Sequence, residues 1–187
     1  SDEEFQEKIQ SFIDSDSFLR YLAATAVTSN LTGFSNIGLS DYLCLDSATG
    51  KFRFIAGEFE TALGGAVFSG TPEQLIELSV LHPYAGECKL IERLFAMKNI
   101  EAAYRKLLQE TIATTLDDTE LSKMVAAIAD PSAEERAIET KAIEERMRQA
   151  SSTFGGGFGG GGFGGPPLST QPLLPLPFLT QRKAAIA

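Results

Sequence analysis

The clearest β signal in this chain is a single hairpin, and it restricts the possible folds more than any other feature. Two short apolar runs, residues 42–45 and 52–55, flank the turn-rich segment DSATGK and predict two antiparallel strands. The flanking sequence repeats its apolar residues at helical spacing instead. In TPEQLIELSVL, for example, Thr71 as N-cap, Pro72 at the first helical position and Gln74 predict a capping box. The chain is therefore expected to be α+β and mostly α.

The end of the chain differs in composition from the rest. Every Asp and Glu lies before Ser151, and the remainder carries only Arg182 and Lys183 as charged residues. The Gly/Phe tract FGGGFGGGGFGG precedes the Pro/Leu-rich run PPLSTQPLLPLPFL, and both disfavour helices and strands through backbone entropy and missing N–H groups. We predict one domain over residues 1–150 and a disordered tail over 151–187. The tail is either a flexible linker or a source of weak aromatic contacts, with a partner or with another copy of the chain.

Charge and hydropathy exclude two classes of protein. The net charge of −9 becomes −11 for residues 1–150, once the two tail cations are left out. Binding to a phosphate backbone needs clustered Lys and Arg, so nucleic acid is not an expected partner. No apolar run approaches the roughly 20 residues that span a bilayer. The opening SDEEFQEKIQ lacks Met and does not resemble a signal peptide, so we expect a piece of a longer protein.

The two cysteines and the single histidine do not indicate a catalytic or zinc site. Cys44 and Cys88 are too few for a disulfide framework, and no paired ligand spacing is present. Cys44 lies in an apolar run and is expected to be a small buried hydrophobe. His82, in LHPY, is interpreted as a turn or packing residue.

Two carboxylates after the second strand are the best candidates for chemistry. In GEFETALGG, Glu58 and Glu60 are separated by one residue, so a continuing strand would point both the same way. That arrangement suits a hard cation such as Mg²⁺ or Mn²⁺, and Asp41 or Asp46 could complete the site. The alternative is that an acidic protein scatters such pairs and that these two are solvated.

The order of these elements resembles the spore-coat protein H (CotH) kinase family. The stretch FLRYLAATAVTSNLTGF, followed by DYLCLDSATGKFRFIAGEFETALGG, is similar to the family's N-x-D-G-Y loop, its N-Y-Y-L-Y strand and its GKF-x-FIPWDLD strand. The later CKLIERLFAMKNIEAAYRKLLQETIATTL is similar to its C-terminal helices, and the Gly/Phe tract to segments that end some bacterial members. The resemblance covers roughly residues 3–130.

The resemblance implies an atypical protein-kinase-like fold that transfers the γ-phosphate of ATP to protein Ser or Thr. Residues 1–150 would be the C-terminal lobe of that fold, without the N-terminal part that grips the nucleotide. It further implies ATP with Mg²⁺ or Mn²⁺ as cofactors, a protein substrate or surface-protein partner, and a secreted or cell-envelope location. A lobe without its partner is expected to expose apolar surface on YLAATAV or on the hairpin.

The resemblance also assigns positions to the candidate residues. The loop that begins at Asn30 corresponds to the catalytic loop, and Thr32 stands where the family has the Asp that orients the attacking hydroxyl. The implied metal ligands are Asp41, in place of Asn, with Glu58 and Glu60, in place of two Asp residues.

Three readings remain open: a CotH-like kinase, a pseudokinase-like binding module, and a structural or cell-surface protein that acts through its tail. The substitutions at Thr32, Glu58 and Glu60 favour the second for this chain.

Overall fold

A computed structural model gives the architecture of the chain. The residues that it describes are 1–36, 38, 41–59, 61–65, 69–153 and 175–186. In chain order these residues form α1 (Asp2–Phe12), α2 (Ser15–Val27), β1 (Asp41–Asp46), β2 (Lys51–Ala56), α3 (Pro72–Ile76), α4 (Lys89–Phe95), α5 (Lys98–Thr114), α6 (Asp118–Ala129), α7 (Ala133–Thr153) and α8 (Pro175–Ile186). The prediction of a mostly helical α+β chain with one antiparallel hairpin is therefore confirmed.

The hairpin forms where the sequence predicts it. Strand β1 pairs antiparallel with β2, in a register that sets Asp41 opposite Ala56 and Asp46 opposite Lys51. Large apolar side chains of this hairpin are exposed, including Tyr42 at 66% and Leu45 at 60%. Apolar surface was expected here or on YLAATAV, and the hairpin is where it occurs.

Cys44 corrects one expectation from the sequence. It was expected to be buried, but its side chain is exposed and forms no disulfide. The reason is that a two-stranded sheet has few neighbours, so an apolar run in a strand does not by itself imply burial on either face.

The structure divides into two compact units. The first contains α1 to α5, the hairpin and α8, and the second contains most of α6 and α7. The core of the first unit is built from α2, α4 and α5, with Leu22, Ile91 and Tyr104 almost fully buried. The Tyr104 hydroxyl donates to the main-chain oxygen of Val80 at 2.7 Å, which satisfies its polar end.

The start of α3 matches the sequence pattern. Thr71 accepts from the main-chain nitrogen of Gln74, while the Gln74 side chain accepts from the main-chain nitrogen of Thr71 at 2.9 Å. The predicted capping box is thus present, with Pro72 in the first turn. The helix ends at Ile76, shorter than the apolar pattern through Leu81 suggested.

The second unit is described by itself. Helix α7 has a charged sequence and largely exposed side chains, as a solvated helix does. The Arg136 guanidinium donates to the main-chain oxygen of Ala129, which joins α7 to the end of α6. In the part of the chain that the structure describes, no helix is long and apolar enough to cross a membrane. The boundary predicted at residue 150 stays a prediction.

Helix α8 corrects the prediction of a disordered tail for residues 175–186. It begins with Pro-Leu-Pro, in the first turn, where a missing N–H removes no helical hydrogen bond. Phe178, Leu179 and Arg182 are buried in the first unit, so tertiary contacts stabilise a helix that composition alone does not predict. Residues 154–174, with the Gly/Phe tract and most of the Pro/Leu run, lie outside the described residues.

Candidate functional site

The loop that follows α2 is fixed by a sharp reversal of the chain. Ser29 adopts a left-handed conformation with φ of 50°, which is uncommon for a residue other than glycine. Its hydroxyl donates to the main-chain oxygen of Leu75 at 2.7 Å, and the next main-chain nitrogen, of Asn30, donates to Thr25 O at 2.9 Å. The end of α2 is thereby attached to α3, and Asn30 is directed into the protein.

Asn30 joins this loop to the turn that follows β2. Its side chain is almost fully buried, and Nδ2 donates to the main-chain oxygen of Glu58 at 2.8 Å. Its Oδ1 accepts from the Thr32 hydroxyl at 2.7 Å and from the Thr32 main-chain nitrogen at 3.2 Å. Thr32 is itself buried, at 5% exposure. The two loop residues therefore satisfy each other within the protein.

Asp41 closes the same loop from the start of β1. Its Oδ2 accepts from the Tyr21 hydroxyl and from the Phe34 main-chain nitrogen. Burial, together with the neighbouring carboxylate, raises the pKa of Tyr21 well above its ordinary value, so the phenol stays protonated and donates. Gly33 lies against this pair: a Cβ there would be 2.7 Å from the Tyr21 hydroxyl oxygen and 3.0 Å from Asp41 Oδ2.

Aromatic packing joins the loop to α2 and to the hairpin. The Phe54 ring of β2 lies 4.6 Å from the Phe18 ring of α2 and 5.0 Å from the Phe34 ring of the loop, between centroids. Tyr21 contacts the same cluster, at 5.9 Å from Phe54. These contacts are within the range of stabilising aromatic pairs, so they hold α2, the loop and the hairpin in one arrangement.

The acidic turn after β2 is only partly described. The Glu58 side chain is exposed, whereas its main-chain oxygen is held by Asn30. Glu60 lies outside the described residues. Further along, the main-chain nitrogen of Leu63 donates to Thr28 O at 2.7 Å, which brings the turn back to the end of α2.

Asp46, the other candidate acid, belongs to the hairpin turn. It accepts from the main-chain nitrogen of Ala48 at 2.9 Å and pairs with Arg53 at 3.1 Å. The hydrogen bond from Ala48 and the Arg53 charge lower the pKa of Asp46. Its carboxylate therefore stabilises the hairpin turn.

A comparison with known protein families assigns the chain to one of them. The family of the CotH kinase protein matches residues 1–152. The chain belongs to the CotH kinase family. No curated protein sequence matches it. Membership in this family implies a kinase-like fold. In general terms it also implies ATP with a divalent metal ion, and about the substrate it implies no more than that it is a protein.

The described residues of this CotH domain were compared with the ligand pattern of a protein-bound metal. Among them, no three His, Cys, Asp or Glu side chains are grouped as metal ligands would be. Asp41 is engaged by Tyr21 and Phe34, and both ends of the Asn30 amide are engaged inside the loop. The ligand set of Asp41, Glu58 and Glu60 therefore stays a prediction.

Two residues of this site were missed from the sequence. Tyr21 lies on the apolar face of α2, and a buried tyrosine usually needs a partner for its hydroxyl, which was the available signal. Gly33 gave a weaker signal, since the close approach that requires it depends on Tyr21 and Asp41 meeting across 20 residues.

Proposed function

We propose that this chain is the C-terminal lobe of a CotH-family protein kinase in which phosphoryl transfer is weakened or lost, and that it acts as a pseudokinase-like binding module. The observation that carries the proposal is Thr32. At the position where the family resemblance places the hydroxyl-orienting Asp, this side chain is buried and donates to Asn30 at 2.7 Å.

The chemistry of phosphoryl transfer explains why this observation matters. A protein kinase uses a carboxylate of the catalytic loop to orient and accept the proton of the attacking hydroxyl. A threonine hydroxyl carries no negative charge at neutral pH, and this one is a donor within its own loop. It is therefore uncharged, and its own proton is already donated to Asn30.

The proposed metal ligands support the same conclusion. If the protein is active, Asp41, Glu58 and Glu60 hold Mg²⁺ or Mn²⁺ with ATP, and the metal neutralises charge on the phosphates. Asp41 Oδ2 already accepts from Tyr21 and Phe34, so binding the metal through that oxygen would compete with these two hydrogen bonds. Glutamate also places its oxygens farther from the backbone than aspartate does, and transfer is sensitive to displacements of this size.

The loop that begins at Asn30 is nevertheless well ordered. Asn30 connects the loop to the acidic turn, and the aromatic cluster that includes Phe34 packs the loop against the hairpin. An ordered surface without a transfer residue is suited to binding a protein partner. The exposed side chains of Tyr42 and Leu45 offer apolar contact area on the hairpin for that purpose.

The experiment is a transfer and binding assay on the full-length protein. Transfer of labelled phosphate from ATP to the protein itself and to a generic acceptor is measured in Mg²⁺ and in Mn²⁺. We expect no metal-dependent transfer from the wild type. ATP-dependent transfer that Glu58→Ala abolishes, and that Glu7→Ala on the exposed face of α1 leaves intact, would refute the proposal.

A second set of variants tests the reason for inactivity. Thr32→Asp restores the carboxylate, and a triple variant adds Glu58→Asp and Glu60→Asp. We expect the triple variant to gain more ATP-dependent transfer than Thr32→Asp alone, because the metal ligands are displaced as well. Full transfer by the wild type would show that Thr32 is not the limiting substitution.

A further inference from the structure

A cavity of about 570 Å³ is lined in part by the loop that contains Asn30. Its wall is formed by the end of α2, by residues 78–85 and by Arg182 of α8, all within the first unit. Its volume lies within the roughly 300–1,000 Å³ of typical small-molecule sites. None of the described residues that line it is acidic, in a protein whose net charge is −9.

Arg182 is the cavity's only lysine or arginine among the described lining residues. Its side chain is completely buried, and its Nη atoms donate to the main-chain oxygens of Ile76, Leu78 and Ala26, the last at 2.8 Å. Its Nε has no hydrogen-bond partner. Burial lowers the pKa of Arg182 to about 10, which leaves the guanidinium charged at neutral pH.

The charge of Arg182 is therefore only partly compensated. Carbonyl oxygens, two of them near the ends of α2 and α3, supply partial negative charge, but no carboxylate among the described residues pairs with the guanidinium. A buried cation without a counter-ion is costly, and a buried N–H without an acceptor adds to that cost. An anion that entered the cavity would offset the uncompensated charge of the guanidinium.

The aromatic part of the lining indicates what the anion would be attached to. The rings of His82 and Tyr84 lie 3.9 Å apart between centroids, and apolar side chains such as Leu31 and Leu78 line the cavity beside them. Such a wall accepts a flat, apolar body by stacking and burial. The two walls together favour a ligand with an apolar ring and one negatively charged group.

We propose that this cavity binds a small molecule in which one carboxylate or phosphate is joined to a planar apolar body, with the anionic group toward Arg182 and the body against His82 and Tyr84. The site does not depend on the proposed loss of phosphoryl transfer. Arg182 lies beyond residues 1–152, the part that the CotH family matches, so the anion-binding wall is a feature of this chain's own C-terminal helix.

The test uses three probes of matched ring size on the 187-residue chain. Benzoate supplies the carboxylate, phenyl phosphate supplies the phosphate, and benzamide supplies the same ring without charge. Binding is followed by amide chemical shifts in a ¹H–¹⁵N titration. We expect saturable shifts for residues 78–85 with at least one anionic probe, and at least tenfold weaker binding of benzamide. The anionic probe that binds more tightly shows whether the site prefers a carboxylate or a phosphate.

Variants of the wall complete the test. Ala85 is exposed at the rim, so Ala85→Phe fills the cavity without disturbing the core, and Ala103→Phe places the same ring on the exposed face of α5 as the control. Ala85→Phe should abolish the anion-dependent shifts, and Ala103→Phe should keep them. His82→Ala should weaken both anions. If Arg182→Met folds, it should lose the preference for anions over benzamide.

The proposal is overturned by any of three results. These are the absence of saturable shifts with both anions, equal binding of benzamide, and unchanged anion binding by Ala85→Phe. None of them requires Arg182→Met to fold.

Discussion

Replacing Asn30 by Ala tests the loop arrangement most directly. The substitution removes the amide that donates to Glu58 O and accepts from both the nitrogen and the hydroxyl of Thr32. Asn30 and Thr32 are buried, so the polar groups left behind cannot all reach water. With about 1 kcal/mol for each net hydrogen bond and more for a buried unsatisfied group, we expect a loss of about 2–4 kcal/mol in the free energy of unfolding.

The measurement is urea denaturation followed by far-UV circular dichroism. Because about 5–15 kcal/mol is typical of a folded domain, the expected loss is large enough to shift the midpoint clearly. Two variants divide the effect. Thr32→Val removes only the hydroxyl and should cost about 1 kcal/mol. Asn30→Asp keeps an acceptor for Thr32 but turns a carboxylate oxygen toward Glu58 O, so it should cost more than Thr32→Val.

The ranking of the variants decides whether the reasoning holds. Of the two variants that introduce no charge, Asn30→Ala should lower the free energy of unfolding more than Thr32→Val. A change below about 0.5 kcal/mol for Asn30→Ala, the range of ordinary surface substitutions, would show that the loop is not held by this amide.

Three further predictions concern the same unit. Gly33→Ala should destabilise by about 1–3 kcal/mol in thermal or urea unfolding, because its Cβ would approach the Tyr21 hydroxyl to 2.7 Å. Because the pKa of Tyr21 is raised in the folded state, folding favours the protonated phenol. The stabilisation from this shift is complete below pH about 10, and above that pH the free energy of unfolding falls by up to about 1.4 kcal/mol per pH unit. Urea denaturation between pH 9 and 11 should show a shallower alkaline loss for Tyr21→Phe than for the wild type. Thr71→Ala should cost about 1 kcal/mol through the lost cap and reduce helix content at α3, whereas an equal stability of both proteins would mean that the capping box contributes nothing.

The features that the sequence predicts well are those set by neighbouring residues. The hairpin follows from two apolar runs and a turn, and the start of α3 follows from Thr71, Pro72 and Gln74. Each depends on contacts within a few positions, so the pattern contains the cause. The family resemblance also rests on such ordered patterns, and the match over residues 1–152 confirms it.

The features that the sequence does not predict depend on distant contacts. Helix α8 begins in a Pro-rich segment, and its burial depends on Arg182 reaching Ile76 and Ala26, more than 100 positions away. Likewise, Asp41 was read as a metal ligand by its position in the family pattern, while its observed hydrogen bonds come from Tyr21 and Phe34. Residue type and spacing identify what a side chain can do, but the partners it meets decide which of these it does.

This distinction also explains why the family and the activity are separate questions for this chain. A catalytic loop needs polar side chains that are fixed by the protein and still have an atom left for the substrate. Asn30 and Thr32 meet the first condition, since each is held by hydrogen bonds inside the protein, and in the proposed function those bonds engage the groups that the loop would offer to a substrate. The loop is therefore ordered by polar groups that satisfy one another. In the function proposed above, that order supplies a surface for binding, while a threonine at position 32 leaves the loop without the carboxylate that orients a substrate hydroxyl in protein kinases.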